Sequence, residues 1–156
     1  MSKTISFFKH TITVAKSRDV VFKALTHADE LVRCFPSRAE SDPKAGGNFK
    51  LFWDFTEAGQ NGSQEGKYIE FVSGEKVSYT WLVTEGSVPT LVTIHLKETN
   101  GETTLDLDHS TAYEGADQKK LHDGHAPQWG FFLMNLKGYL EAGMDMRKEK
   151  LNQITK

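Results

Sequence analysis

The hydrophobic pattern begins with a period of two. Phe8, His10, Ile12 and Val14 fall on one side and Lys9, Thr11 and Thr13 on the other, which predicts a strand. The period then lengthens. Val20, Val21, Ala24 and Leu25 make a helical stripe, with Ser17 placed to cap it and Asp19 in its first turn. A second short stripe, Ala28, Leu31, Val32 and Phe35, ends at Pro36, which lacks the N–H for a helical hydrogen bond and disfavours helix in the residue before it. The next segment, "PSRAESDPKAGG", reads as a loop.

From Gly47 the period returns to two. "NFKLFWDF", "GKYIEFV", "KVSYTWLV", "TLVTIHLKE" and "TTLDLDHS" are separated by "EAGQNGS", "SGE", "TEGSVP" and "TNGE", short connections that favour antiparallel hairpins over parallel crossovers. Alternation groups Phe49, Leu51, Trp53 and Phe55, then Val77, Tyr79, Trp81 and Val83, then Leu105, Leu107 and His109, so one sheet face is apolar and aromatic. After "AYEGADQ", Trp129, Leu133, Leu136 and Leu140 form a helical stripe, and Gly124 and Pro127 mark the start of that helix. The expected fold class is α+β, a curved six-stranded antiparallel sheet with one long C-terminal helix and two short helices after the first strand. Gly130 and Gly138 each weaken a helix by about 1 kcal/mol relative to alanine, which predicts a close backbone approach there to the sheet or a ligand.

Composition narrows the function. The chain has 156 residues, enough for one domain with a real core, and 38% hydrophobic and 26% charged residues. A net charge of -2 argues against a binder of nucleic acid or anionic membranes. The single cysteine, Cys34, excludes an internal disulfide and a thiolate zinc site and fits a reducing compartment, so the expected location is the cytoplasm. Lys9 and His10 interrupt the first apolar stretch, unlike a signal peptide, and no run has transmembrane length.

Five features together carry a family resemblance: the first strand running into "SRDVVFKALTHADELVRCF", then "AGGNFKL", "EGKYIEFVSGEKVSYTW", "TTLDLDHS" and "QWGFFLMNLKGYLEAG". Over nearly its whole length the chain resembles the activator of heat-shock protein 90 ATPase homologue type domain. That domain belongs to the superfamily of START lipid-transfer domains, the major birch pollen allergen and polyketide cyclases. The resemblance implies a helix-grip fold around a largely hydrophobic cavity. Two positions depart from the family pattern: Gln128-Trp129-Gly130 replaces a Gly-Trp order, and Cys34 stands where tryptophan is common, near an implied mouth of the cavity. The eukaryotic cochaperone carries a further domain, for which these 156 residues leave no room.

The expected ligand is a hydrophobic or amphipathic small molecule held in that cavity, with no cofactor. Its expected walls are Phe49, Leu51 and Trp53, then Tyr68, Tyr79 and Trp81, then Leu107 and His109, and Trp129, Leu133 and Leu136 from the helix, although the aromatic set Trp53, Tyr68, Tyr79, Trp81 and Trp129 reads equally as a large packed core. Tyr79 and His109 would orient the ligand. An acid/base site using His109, with His10 and Glu70, is the enzymatic alternative, cyclase-like or hydrolytic, although buried histidines in such strands are more often structural. A strand slip of one residue would turn Glu70 to solvent. A chaperone partner at the outer surface is the third reading.

Other motifs have simpler readings. His122, Asp123 and His125 in "HDGH" have metal-ligand spacing but no third ligand nearby, so Asp123 reads as a helix cap and no metal is expected. Cys34 lacks the surroundings of a nucleophile, with only Arg33 beside it. Asp106 and Asp108 alternate with leucines and read as a solvated face. "AGGNFKL" lacks the lysine of a phosphate loop and reads as a turn into a strand.

Overall fold

The protein is described by a computed structural model covering residues 5–55, 60–81, 90–111 and 118–146, with backbone alone for residues 5, 7, 53–55, 60–62, 111 and 118–128. The elements run β1 (Ile5–Val14), α1 (Arg18–Thr26), α2 (Ala28–Leu31), β2 (Arg38–Ser41), β3 (Asn48–Phe55), β4 (Gln60–Val72), β5 (Lys76–Trp81), β6 (Thr90–Thr99), β7 (Glu102–Thr111) and α3 (Gln118–Ala142). Among the described residues seven strands form one sheet in the order β1-β7-β6-β5-β4-β3-β2, every neighbour antiparallel. Strands β2 to β7 are a meander. β1 closes beside β7, so α1 and α2 carry the chain from one sheet edge to the other.

The extra strand corrects the expected six. β2 lies within the segment read as a loop, because "RAES" has no apolar alternation. It is an edge strand defined by pairing with β3, Arg38 opposite Phe52 and Ser41 opposite Phe49. The turn after it needs its glycines. Gly46 has φ of +83°, and a Cβ on Gly47 would stand 2.0 Å from the Asp42 carbonyl oxygen.

Local chemistry accounts for the other boundaries. Ser17 caps α1, its side chain accepting from the Val20 N–H, as its spacing predicts. α2 ends at Leu31, short of Phe35, and residues 32–37 form turns. Asn100 and Gly101 both have positive φ, +54° and +79°, the geometry of a type I′ hairpin for "TNGE". Gly143, at φ +69°, donates to the Tyr139 carbonyl at 2.8 Å and ends α3 in a left-handed cap.

α3 starts earlier than the sequence suggests. "HDGH" and Pro127 lie inside the helix, so Asp123 is not its cap. Trp129, Phe132, Leu133 and Leu136 are buried, whereas Phe131 and Met134 are exposed. On the sheet, Phe8, Val14, Val77, Tyr79, Trp81, Leu105, Leu107 and His109 are buried as alternation predicts. Among the described residues no helix is long and apolar enough to cross a membrane. A curved antiparallel sheet holding a C-terminal helix against its apolar face is the α+β helix-grip fold.

Candidate functional site

A pocket lies where β3, β4 and β5 face the helices. Leu25 of α1, Leu31 of α2 and Phe35 of the following turn close one side, and Phe132 of α3 meets them. Phe49, Leu51, Tyr68, Tyr79 and Trp81 form the sheet wall. Among the described residues no charged side chain lines it. The cavity is partly open to solvent and measures about 10 Å³, room for about one water.

Aromatic contacts fill the rest. The Phe35 ring stacks on Phe132 at 3.8 Å between centroids, lies parallel to Trp81 at 6.3 Å and tilts against Trp129 at 5.7 Å. Phe49 meets Tyr79 edge-on at 5.1 Å and Tyr68 at 5.3 Å. Phe35 is half-buried, and among the lining residues it alone sits on irregular backbone.

The two tyrosines differ. The Tyr68 hydroxyl lies 2.8 Å from Ser41 Oγ and also donates to the Thr26 carbonyl at 3.3 Å. Ser41 donates to that same carbonyl at 2.5 Å, so this corner of the pocket is satisfied. Tyr79 is buried, and among the described residues its hydroxyl has no hydrogen-bond partner. Burial raises the pKa of both phenols above the ordinary value, far more for Tyr79, with the neighbouring tyrosine adding to its shift. Both therefore stay protonated at neutral pH.

Because the folded pKa values lie above those of the unfolded chain, the stability tied to these phenols is complete below about pH 10 and declines as pH rises beyond it. Urea midpoints measured from pH 8 to 11.5 are expected to be flat to about pH 10 and then to fall, in step with phenolate absorbance. A phenolate signal that titrates fully without loss of structure would contradict this.

Of the residues expected in the cavity, Phe49, Leu51, Tyr68, Tyr79 and Trp81 come together on its wall. Leu107, Leu133 and Leu136 are buried in the core outside that lining, and the Trp53 side chain lies outside the described residues. Trp129 is one layer back, 4.9 Å from the Trp81 ring. The sequence reading missed Leu25, Leu31, Phe35 and Phe132 as wall residues. Their signal was present: three lie on the two short helical stripes or their continuation, and Phe132 is three residues after Trp129.

His109 is fully buried, with Nε2 2.6 Å from Thr90 Oγ1. Thr90 spends its one hydroxyl proton on the Trp81 carbonyl at 2.9 Å, so the network assigns the proton of the imidazole contact to Nε2. The ring sits between Phe8 at 5.3 Å and Trp129 at 6.2 Å and ties β5, β6 and β7 together. It does not line the cavity. His10 is half-buried against Gly130 of α3.

Glu70 points away. A bulge between Tyr68 and Glu70 shifts the register, its N–H donates to Ser78 Oγ, and its carboxylate pairs with Lys76 at 2.9 Å. Asp106 and Asp108 accept from Thr11 and Ser6 on the exposed side of β7. Cys34 is buried, and its carbonyl accepts from the Asn135 side chain at 2.9 Å. Among the described residues no three His, Cys, Asp or Glu side chains are grouped to hold a metal, and the side chains of His122, Asp123 and His125 lie outside them.

The helix glycines are not explained by close approach. A Cβ on Gly130 would meet the His10 ring at 3.6 Å and one on Gly138 the Met144 carbonyl at 3.7 Å, ordinary contact distances. Gly130→Ala and Gly138→Ala are each expected to raise stability by about 0.5–1 kcal/mol in urea denaturation. A loss of stability in either variant would show that the backbone there is needed bare.

An antiparallel sheet gripping a helix over an aromatic pocket defines a helix-grip protein. The chain belongs to the activator of Hsp90 ATPase homolog 1-like family, whose family model matches residues 15–141. It is similar to the Aha1 dimer from Colwellia psychrerythraea, with TM-score 0.72 and 21% identity over 90% of this chain and 98% of that one. An HSP90 activator from Plasmodium falciparum has TM-score 0.63 and 25% identity over 85% and 94% of the two chains. DynU16, a putative protein in the dynemicin biosynthetic locus, has TM-score 0.71 and 20% identity over 90% of this chain and 49% of that one. No curated protein matches the chain.

Proposed function

We propose that this protein binds a hydrophobic or amphipathic small molecule between its sheet and its helices, with Phe35 as the side chain that yields to it. The observation that carries this reading is the placement of Phe35, a half-buried ring on irregular backbone that fills a pocket whose other described lining residues are uncharged and sit on helices and strands. Magnitude makes the movement necessary. An apolar cavity of about 150 Å³ admits benzene, whereas the cavity here is about 10 Å³. Turning Phe35 outward leaves its stacking places on Phe132 and Trp81 for a ligand ring.

The test is titration with N-phenyl-1-naphthylamine, a neutral apolar dye, read by its fluorescence and by quenching of the tryptophans. Phe35→Ala is expected to bind it about tenfold more tightly than the wild type, since the ligand no longer displaces a stacked ring. No uptake by either protein would refute the reading.

The enzymatic alternative is weaker, because His109 is committed to Thr90 and stands outside the cavity lining. Regulation of a chaperone ATPase is supported by the family and by the exposed apolar side chains Phe131 and Met134 in the middle of α3 and Met144 just after it. Measurement of the ATPase rate of a purified Hsp90 with and without this protein tests it: stimulation lost in a Phe131→Ser/Met134→Ser variant would favour it, and an unchanged rate would dispose of it.

A further inference from the structure

We infer that Tyr79 makes the pocket selective for neutral, ring-containing molecules that carry a hydrogen-bond-accepting oxygen, a ketone being the simplest case. The inference rests on the ligand-binding reading above and gives it a chemical class. Two independent observations carry it: the composition of the wall and the state of one hydroxyl.

The wall offers little polarity. Among the described residues its side chains are leucines, phenylalanines, one tryptophan and two tyrosines, so the part of a ligand that enters leaves its water behind without meeting a charge. A carboxylate or an ammonium group would be buried with no counter-ion, which costs several kcal/mol. Fully apolar ligands escape that cost, but they leave the polar groups of the wall as they are.

Among the described residues those groups are two phenol hydroxyls and the Trp81 indole N–H. Tyr68 is already held by Ser41 and the Thr26 carbonyl, and taking it would break that corner. Tyr79 is 6% exposed, lines the cavity, and among the described residues makes no hydrogen bond. A wall hydroxyl with no described protein partner can donate to a ligand oxygen, and the bond is made in surroundings of low polarity, where it is stronger than in water. Burial keeps this phenol protonated and therefore a donor. Its neighbours fix its direction, since the ring is clamped edge-on by Phe49 at 5.1 Å and by Tyr68 at 6.0 Å. The ligand ring would occupy the stacking place vacated by Phe35, with its oxygen toward β5.

Three naphthalenes of nearly equal shape test this: 2-acetylnaphthalene, 2-ethylnaphthalene and 2-naphthoate, each titrated at pH 7 against the wild type and Tyr79→Phe. The wild type is expected to bind the ketone about tenfold more tightly than the hydrocarbon, as a desolvated hydrogen bond gives, and the carboxylate least tightly. Tyr79→Phe should reduce the ketone-to-hydrocarbon ratio to about one, leaving the hydrocarbon unchanged or tighter. The infrared carbonyl band of the ketone bound to the wild type provides a second reading that needs no variant: it should lie at lower frequency than in hexane. If the ketone and hydrocarbon bind the wild type equally, or the carboxylate binds tightest, or the carbonyl band stays at its hexane position, the Tyr79 inference is overturned while ligand binding stands. If none of the three binds, the ligand-binding reading itself fails.

Discussion

Trp129→Ala is expected to destabilise the protein by about 3–5 kcal/mol, a large share of the 5–15 kcal/mol typical of a folded domain. Trp129 is 3% exposed and anchors the centre of α3. Its ring touches Trp81 at 4.9 Å, Phe35 and Phe132 each at 5.7 Å, and the edge of His109 at 6.2 Å, so it joins the helix, the turn after α2 and two strands. Truncation removes that area and leaves a cavity which four packed rings cannot close. The urea midpoint should fall sharply with little change in slope. A loss below about 1 kcal/mol would mean that α3 is held by something other than this residue.

Gly66→Ala is the second large effect, and it arises from the sheet. Phe49 pairs with Gly66 across β3 and β4 and lays its ring over the bare Cα. A Cβ at Gly66 would stand 2.2 Å from the Thr80 carbonyl oxygen and 2.5 Å from Phe49 Cζ, so backbone and ring must both move. Overpacking of this kind costs about 1–3 kcal/mol. Because Phe49 lines the pocket, the same variant should also alter binding of N-phenyl-1-naphthylamine, whereas Gly130→Ala, which touches only His10, should not. Urea denaturation together with dye titration checks both parts. Unchanged stability would show that β4 can shift away from β5 and the Phe49 ring can move aside at no cost.

The elements whose side chains alternate or repeat on a helical stripe were legible in the sequence. β5 and β7 place Val77, Tyr79 and Trp81, and Leu105, Leu107 and His109, inward as the period of two requires. β2 was not legible, since a polar edge strand is specified by its partner and by the turn glycines rather than by its own pattern. The bulge that turns Glu70 outward escaped for a related reason: one inserted residue reverses the faces without changing composition. At the site, the strand residues of the wall were readable and the plug was not. Phe35 reads as the last residue of a short helical stripe, and only the three-dimensional path of residues 32–37 brings it over Phe132. His109 shows the opposite limit. Its face was readable, but its commitment to Thr90 depends on the register of β6 against β7.

The central claim is that the aromatic pocket takes up a small molecule, and native mass spectrometry of freshly purified protein tests it most directly. The native spectrum should show a noncovalent adduct of small-molecule mass, absent from the denatured spectrum of the same sample, or one formed on adding N-phenyl-1-naphthylamine and enhanced in Phe35→Ala. A bare mass for both proteins, before and after excess dye, would contradict the claim.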